Sequence, residues 1–507
     1  MTIVQQGAVN TTAMIVPQLL VQIVPPQTVN LNGVPTNILG AVGTASWGPV
    51  GSPTDIGGMA DFATAFGPVM PRKYDLGTLV GAAVQQGANV FKCVRVTDGT
   101  DTAASGTLTM VNAAVATAVA AAVNGGQSGM RGPSQLVVAT ASGTTVTLTA
   151  KYTGSQGNLL VADTGAGSAA ASTSLVVSMP GQVPETFDSI AGGVSAASSV
   201  TLAGGADGAA AVTAAMLLGQ DVVPRRGMYA LRGTGASVVA LADCDDSTTW
   251  PTQMAYGLAE GSYMILTGPC GDTIANAVSV KSGLGLDSYA VKPMFGDWVY
   301  WLDTANGGVV RLISPQGFEA GRLANLSPEQ SSLNKPIYGI VGTQKSMANQ
   351  QYSLAELQTL AAAGIDVITN PIPAGAMFGA RLGRNGSSNV NLHGDNYTRM
   401  TNYLAATLNA GMGQFIGLLQ STSAADPTRQ KVQATLTSFL QGMVQQGMLD
   451  SFSVRCDTSN NPASRIAMGY LQCDVQAKYL AVVENLIVNL EGGQSVTVTS
   501  VSTSAAA

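Results

Sequence analysis

The residues of this chain that could do chemistry are few and do not converge. Its single histidine, His393, lies in a Gly/Asn-rich loop, and no G-x-S-x-G elbow presents a serine, so no Ser-His-Asp triad is legible. Asp243, Asp245 and Asp246 cluster, yet they lack the glycine and distal glutamate of a calcium loop and read as a loop or helix N-terminus. The stretch NILGAVGTASWGPVG is a strand running into a glycine-rich loop, but it matches neither G-x-G-x-x-G nor G-x-x-x-x-G-K-[ST], so it is no phosphate cradle. Cys93, Cys244, Cys270, Cys456 and Cys473 form no C-x-x-C pair and read as free, mostly buried thiols. No residue is therefore assigned a catalytic, cofactor-binding or metal-binding role, and no cofactor is expected.

The elements carry more. From Gly394 to Leu490 the apolar pattern is cleanest. Asp395 is expected to cap a helix with Tyr397, Met400, Tyr403, Leu404, Leu408, Phe415 and Leu419 on one stripe. Asp426 at the N-cap and Pro427 at the first position open a second helix through Val432, Leu436, Phe439, Leu440, Met443 and Val444, stopped by Gly447. The period then drops to two at Phe452, Val454 and Cys456, turns at Asp457 to Pro462, and resumes at Leu471, Cys473 and Val475. A short helical piece around Lys478 to Val483 and a strand over Leu486 to Leu490 follow, and Ser495 to Ser500 reads as a strand with no partner in its own chain. Such an edge invites pairing with another chain.

Composition narrows the classes. Charged residues make up only 10%, glycine 60 of 507 residues, and the net charge is −6. This favours closely packed, protein-covered surfaces and argues against nucleic-acid binding, which needs a basic stripe. No apolar run is long enough to span a bilayer; Ala113 to Val123 is too short. The first basic residue is Arg72, so no signal peptide is expected and the protein is expected to be made in a cytoplasm. Residues 1–30 carry no charge, and Pro17, Pro25 and Pro26 interrupt MIVPQLLVQIVPP, which confines it to extended geometry. An arm of about 20 such residues reaches roughly 60 Å, so the segment reads either as an N-terminal strand in the chain's own sheet or as an arm lying across a neighbour.

Between these ends, Asp61, Phe62 and Phe66 predict a short docked helix, Tyr74 to Gly87 a helix and Asn89 to Val96 a buried strand. Residues 101–220 are rich in Ala, Gly, Ser and Thr, and runs such as Gln135 to Ala139 and Thr144 to Thr149 predict a small sandwich inserted in the middle of the chain. Strands are expected at Met228 to Leu231, Tyr263 to Thr267 and Val299 to Asp303 in an α/β layered arrangement, and LAELQTLAAAGIDVITN predicts a helix, Gly364 and a strand.

Taken together and in this order, NYTRMTNYLAATL, TRQKVQATLTSFLQGMVQQGMLDSFSVRCDTSNNP and GYLQCDVQAKYLAVVENLIVNLE resemble the C-terminal module of contractile-tail sheath proteins of myophages and phage-derived devices. ILGAVGTASWGPVGSPTDIGGMADFATAFGP, YDLGTLVGAAVQQGANVFKCVRV and SPQGFEAGRLANLSPEQSSLNKPIYGI are similar to that family's middle region. The resemblance implies an α+β multidomain protein with a subtilisin-like α/β middle domain over 31–100 and 205–375 and a β-rich peripheral insertion over 101–204. A C-terminal core module at 376–490 would lie between arms at 1–30 and 491–507. It further implies a non-enzymatic virion subunit, assembled in the host cytoplasm. Hexameric rings of it would stack helically around a tail tube, with baseplate and tail terminator proteins as further partners and with no nucleic acid or membrane bound. Arm strands linking subunits are expected at Ile15, Val16, Leu19, Leu20, Val21, Ile23, Leu486, Ile487, Val488, Val496 and Val498, and tube-facing cations at Arg381, Arg384, Arg429 and Lys431. A bacteriocin or injection-device sheath, a surface-layer or adhesin-type protein and an inert-looking subtilisin-like hydrolase are the alternatives.

Overall fold

A six-stranded sheet organises the chain. The computed structural model describes residues 2–4, 20–22, 31–128, 131–165, 172–191, 198–488 and 490. The sheet runs in the order Val291–Met294, Tyr263–Thr267, Val238–Leu241, Leu39–Gly43, Phe91–Arg95, Thr54–Ile56; the first five strands are parallel and the last is antiparallel. Its parallel strands are near-continuous apolar runs because both faces are covered. On one face Leu39, Ala41, Tyr263 and Ile265 pack with Leu79 and Phe318 from the Leu76–Gln85 and Gln316–Asn325 helices. On the other, Val42, Val239, Leu241, Met264 and Leu266 pack against Trp250 and Tyr256 of the Trp250–Glu260 helix. The two helices of the first face approach closely: a Cβ on Gly321 would lie 2.4 Å from the Ala83 Cα. Asp75 caps the Leu76–Gln85 helix, accepting from the Thr78 backbone N–H at 2.8 Å.

Beside this sheet lies a three-stranded antiparallel one, with Val299–Asp303 between Val309–Ile313 and Ile340–Thr343. Residues 105–201 form two further antiparallel sheets that share one apolar cluster with the Ala113–Gly125 helix. That helix is absent from the expected sandwich. Its Ala/Val run gives almost no polar stripe to read, and what fixes it is packing of Val115, Val119 and Val123 plus the Asn112 cap. The cluster also takes in Trp47, which follows the Leu39–Gly43 strand.

Three expectations change. Met228 to Leu231 is a 3-10 turn, Gly227–Leu231, entered through Gly227 at φ 58°. Lys478 to Val483 is not helical: the Asp474–Tyr479 strand carries on through Lys478, and the chain then runs on without regular structure. Among the described residues, 486–488 and 490 join no strand ladder. Ser495 to Ser500 lies outside the described residues. The strands Tyr263–Thr267 and Val299–Asp303 and the Leu354–Ala362 helix, boxed by Ser353 and Glu356, form as expected.

Candidate assembly interface

The C-terminal module is two helices on a hairpin. Asp426 caps the Pro427–Gln445 helix, accepting from the Arg429 backbone N–H at 2.9 Å, and Gly447 at φ 72° leads out of it. Leu440 and Met443 from this helix, Met400 and Leu404 from the Asp395–Gly411 helix and Leu449 of the hairpin share a core. The hairpin pairs Leu449–Arg455 with Asp474–Tyr479. Among the described residues neither outer edge has a ladder partner. The chain leaving it is stapled twice: the Asn396 side-chain amide donates to the Leu480 carbonyl at 2.9 Å, and Glu484 pairs with Arg384 and lies 3.5 Å from His393. Beyond Glu484 the staples end, and Leu486, Ile487 and Val488 are 82, 83 and 75% exposed. These bare aliphatic side chains follow a hairpin whose outer edges have no ladder partner among the described residues.

What fixes this module to the central sheet is a buried ionic knot. Lys292, on the edge strand Val291–Met294, places its Nζ 2.8 Å from Glu319, 2.9 Å from Asp366 and 2.9 Å from Asp395, and all four side chains are fully buried. Asp395, the first residue of its helix, also accepts from the Tyr263 hydroxyl at 2.6 Å and the Ser332 hydroxyl at 2.7 Å. It is thus committed to Lys292 and is not the expected cap; Gly394 holds that position. Burial opposes ionisation of Asp395, but Lys292 and these hydrogen bonds outweigh it and hold its carboxyl below the usual value. Asp366 is anchored by the backbone N–H groups of Val367, Leu382 and Gly383. Glu319 meets Lys292 alone, and burial, with Asp395 and Asp366 nearby, pushes its carboxyl up. One turn along the helix, Arg399 donates to the Ser327 carbonyl at 2.8 Å and the Leu326 carbonyl at 2.7 Å. Burial lowers its guanidinium pKa to about 10.

Residues 388–491 match the family model of the phage tail sheath C-terminal domain. This module belongs to the tail sheath family. No curated protein matches the sequence. Over nearly the whole chain the fold is similar to that of solved sheath proteins. With the sheath tail protein of Listeria innocua the identity is 11%, covering 89% of this chain and 96% of that one, at a TM-score of 0.57. With the anti-feeding prophage helical sheath in its contracted state, identity is 12%, coverage 94% and 99%, and TM-score 0.55. The PVC sheath complex of an extracellular contractile injection system, also in its contracted state, gives 13%, 95% and 98%, and 0.53.

On this sheath fold the expected site residues scatter. Leu20 and Val21 lie in the short strand Leu20–Gln22, which pairs in parallel with Thr2–Val4, whereas Ile15, Val16, Leu19, Ile23, Val496 and Val498 fall outside the described residues. Arg381 is half-buried, Arg384 is taken by Glu484, and Lys431 is exposed. Arg429 is not on a surface: it is 1% exposed, and its guanidinium donates to the Ser421 carbonyl at 3.1 Å and to that of Ser423. Its place in the first helical turn, over the 421–426 loop, draws it inward. Asp243 is buried and accepts from the Ser314 N–H at 3.2 Å, Asp245 pairs with Lys73 at 2.8 Å, and Asp246 caps the Ser247–Thr249 turn. The ionic knot was invisible in sequence, since Lys292, Glu319, Asp366 and Asp395 share no spacing. The one available signal was a lysine inside the otherwise apolar run AVKPMF.

Proposed function

We propose that this protein is the structural subunit of a contractile sheath. Copies polymerise into hexameric rings stacked helically around a tail tube, and the sheath shortens on release by a baseplate, driving the tube through an envelope. The observation that carries this reading is the run of bare aliphatic side chains Leu486, Ile487, Val488 and Leu490, following a hairpin whose edges are unpaired among the described residues, within a tail sheath domain. Strand addition at such edges is a common way for one chain to hold another. Contacts between unlike surfaces of identical copies build rings and helical stacks. The N-terminal arm and the chain beyond residue 490 are the donors, each reaching a different neighbour. The middle region, a parallel sheet covered by helices on both faces, is read as a subtilisin-like scaffold used without its chemistry, and residues 101–204 as a peripheral insertion. Tail terminator proteins complete the partners, and the virion tail is the place of action. Contraction draws on apolar surface buried between subunits, about 25 cal/mol per Å², so no nucleotide is required. The likeness to the PVC and anti-feeding prophage sheaths supports a second reading with the same mechanics, the sheath of an injection device.

Negative-stain microscopy of the purified protein, alone and with its candidate tube protein, tests this. Hollow striated tubes of uniform diameter are expected from the full chain, and folded monomers from chains lacking residues 1–24 or 492–507. Normal-length tubes from either truncation would refute arm exchange; monomers from the full chain even with the tube protein present would refute the sheath reading.

A further inference from the structure

The far end of the C-terminal hairpin brings two thiols face to face. The strands end at the directly opposed pair Arg455 and Asp474, so Cys456 and Cys473 are next in register. Both contribute to one apolar cluster with Val432 and Leu436, close enough for each thiol to shift the other's titration. The backbone around them is held from both sides. On the strand side, Arg455 pairs with Asp474 at 2.9 Å. On the loop side, the Asn461 side chain donates to the Gln472 carbonyl at 2.9 Å and accepts from the Gln472 N–H at 2.7 Å, while Asn460 donates to the Arg455 carbonyl at 2.8 Å. Two cysteines so clamped need little backbone movement to reach disulfide geometry.

We propose that Cys456 and Cys473 are a modification site, a latent cross-strand disulfide that closes the 457–472 loop when the protein meets an oxidising disulfide such as oxidised glutathione. Cys473 is half-buried and Cys456 is 3% exposed, so Cys473 reacts first. Its thiolate attacks one glutathione sulfur, breaking the glutathione S–S bond and releasing one reduced glutathione. The Cys456 thiolate then attacks the Cys473 sulfur and expels the second. Two thiol protons are given up, and the electron pair passes to the glutathione. Burial pushes both thiols above their ordinary values, so exchange is slow at neutral pH and quickens in mild alkali. The pair thus stays reduced where the chain is made and closes after prolonged exposure outside. What closure does, fixing the end of the sheet proposed above to receive neighbouring arms, rests on that reading; the bond itself does not.

The test is to incubate the full chain with oxidised glutathione in mild alkali, alkylate the remaining thiols, digest with trypsin and weigh the fragments. The expected result is the Cys456–Arg465 fragment joined to Ile466–Lys478 with the loss of two hydrogens, both separate fragments depleted, and full reversal by reductant. Cys456→Ser should abolish the joined species and leave glutathione on Cys473; Cys473→Ser, at the half-buried position, should leave Cys456 reduced. Recovery of both fragments unlinked while the exposed Cys270 carries glutathione would overturn the proposal, as would a species joining two Ile466–Lys478 fragments from different chains. Because the readout needs no assembly, failure to form tubes leaves it intact.

Discussion

Lys292 neutralises one of three carboxylates that surround it, and two of them, Asp395 and Glu319, answer to pH in opposite ways. Lys292→Met leaves Glu319, Asp366 and Asp395 buried without a cation and should destabilise the protein by about 3–5 kcal/mol at neutral pH, seen as a lowered urea midpoint. Acidification shrinks this cost. In the native chain, Asp395 has a depressed carboxyl, so its contribution is present above the ordinary value of 3.8 and is lost as pH falls through its lower folded value. In the variant, protonation relieves the uncompensated charge, so the gap to the native chain should narrow with falling pH. Glu319 behaves oppositely: its carboxyl is raised above 4.5, so the folded state gains below that value and loses as pH rises through the folded one. Glu319→Gln should therefore cost about 1 kcal/mol or less at neutral pH, or stabilise, and should flatten the decline above 4.5. Arg429 supplies a different residue-scale test. Arg429→Met strips donors from two loop carbonyls and should cost about 2 kcal/mol in stability, in tube-free protein as much as in assembled tubes.

At the scale of elements, the segment beyond Glu484 separates folding from assembly. Leu486 and Ile487 are bare, so replacing both with aspartate should leave the monomer's melting transition within about 0.5 kcal/mol of the native one. Sedimentation should nevertheless show the long polymers gone, since each carboxylate would have to be buried against a neighbour. Polymers of native length from this double variant would remove the segment from the interface. The hairpin itself has a firm end, where the asparagine network closes the loop, and an open end, where Tyr479 hands over to the unpaired chain.

For the whole molecule, the proposed 101–204 insertion is less separable than its composition implies. Thr102 and Ala206 exchange backbone hydrogen bonds at 3.1 Å, so a short linker could replace what lies between them. Yet Trp47 packs into the insertion's core, and the buried Arg95 donates to the Thr153 carbonyl at 2.6 Å. Excision should cost about 2–3 kcal/mol from uncovering Trp47 while leaving tube formation intact, checked by thermal melts and microscopy of one preparation.

Local chemistry was enough to read the Pro427–Gln445 helix, with Asp426, Pro427 and Gly447 at its ends, and three of the five parallel strands, Leu39–Gly43, Phe91–Arg95 and Tyr263–Thr267, while Val238–Leu241 and Val291–Met294 were not anticipated. The same local patterns carried the order of the sheath-like segments. Tertiary structure alone decided where charge and unpaired backbone ended up. Asp395 looks like a cap until Lys292 arrives from 103 residues away. Arg429 looks solvated until the 421–426 loop folds over it. Cys456 and Cys473 look unrelated until the register places them opposite. Helix caps and apolar periods act over three or four residues and are written in neighbouring letters, whereas burial of an ion and opposition of two strands depend on which distant segments the core brings together.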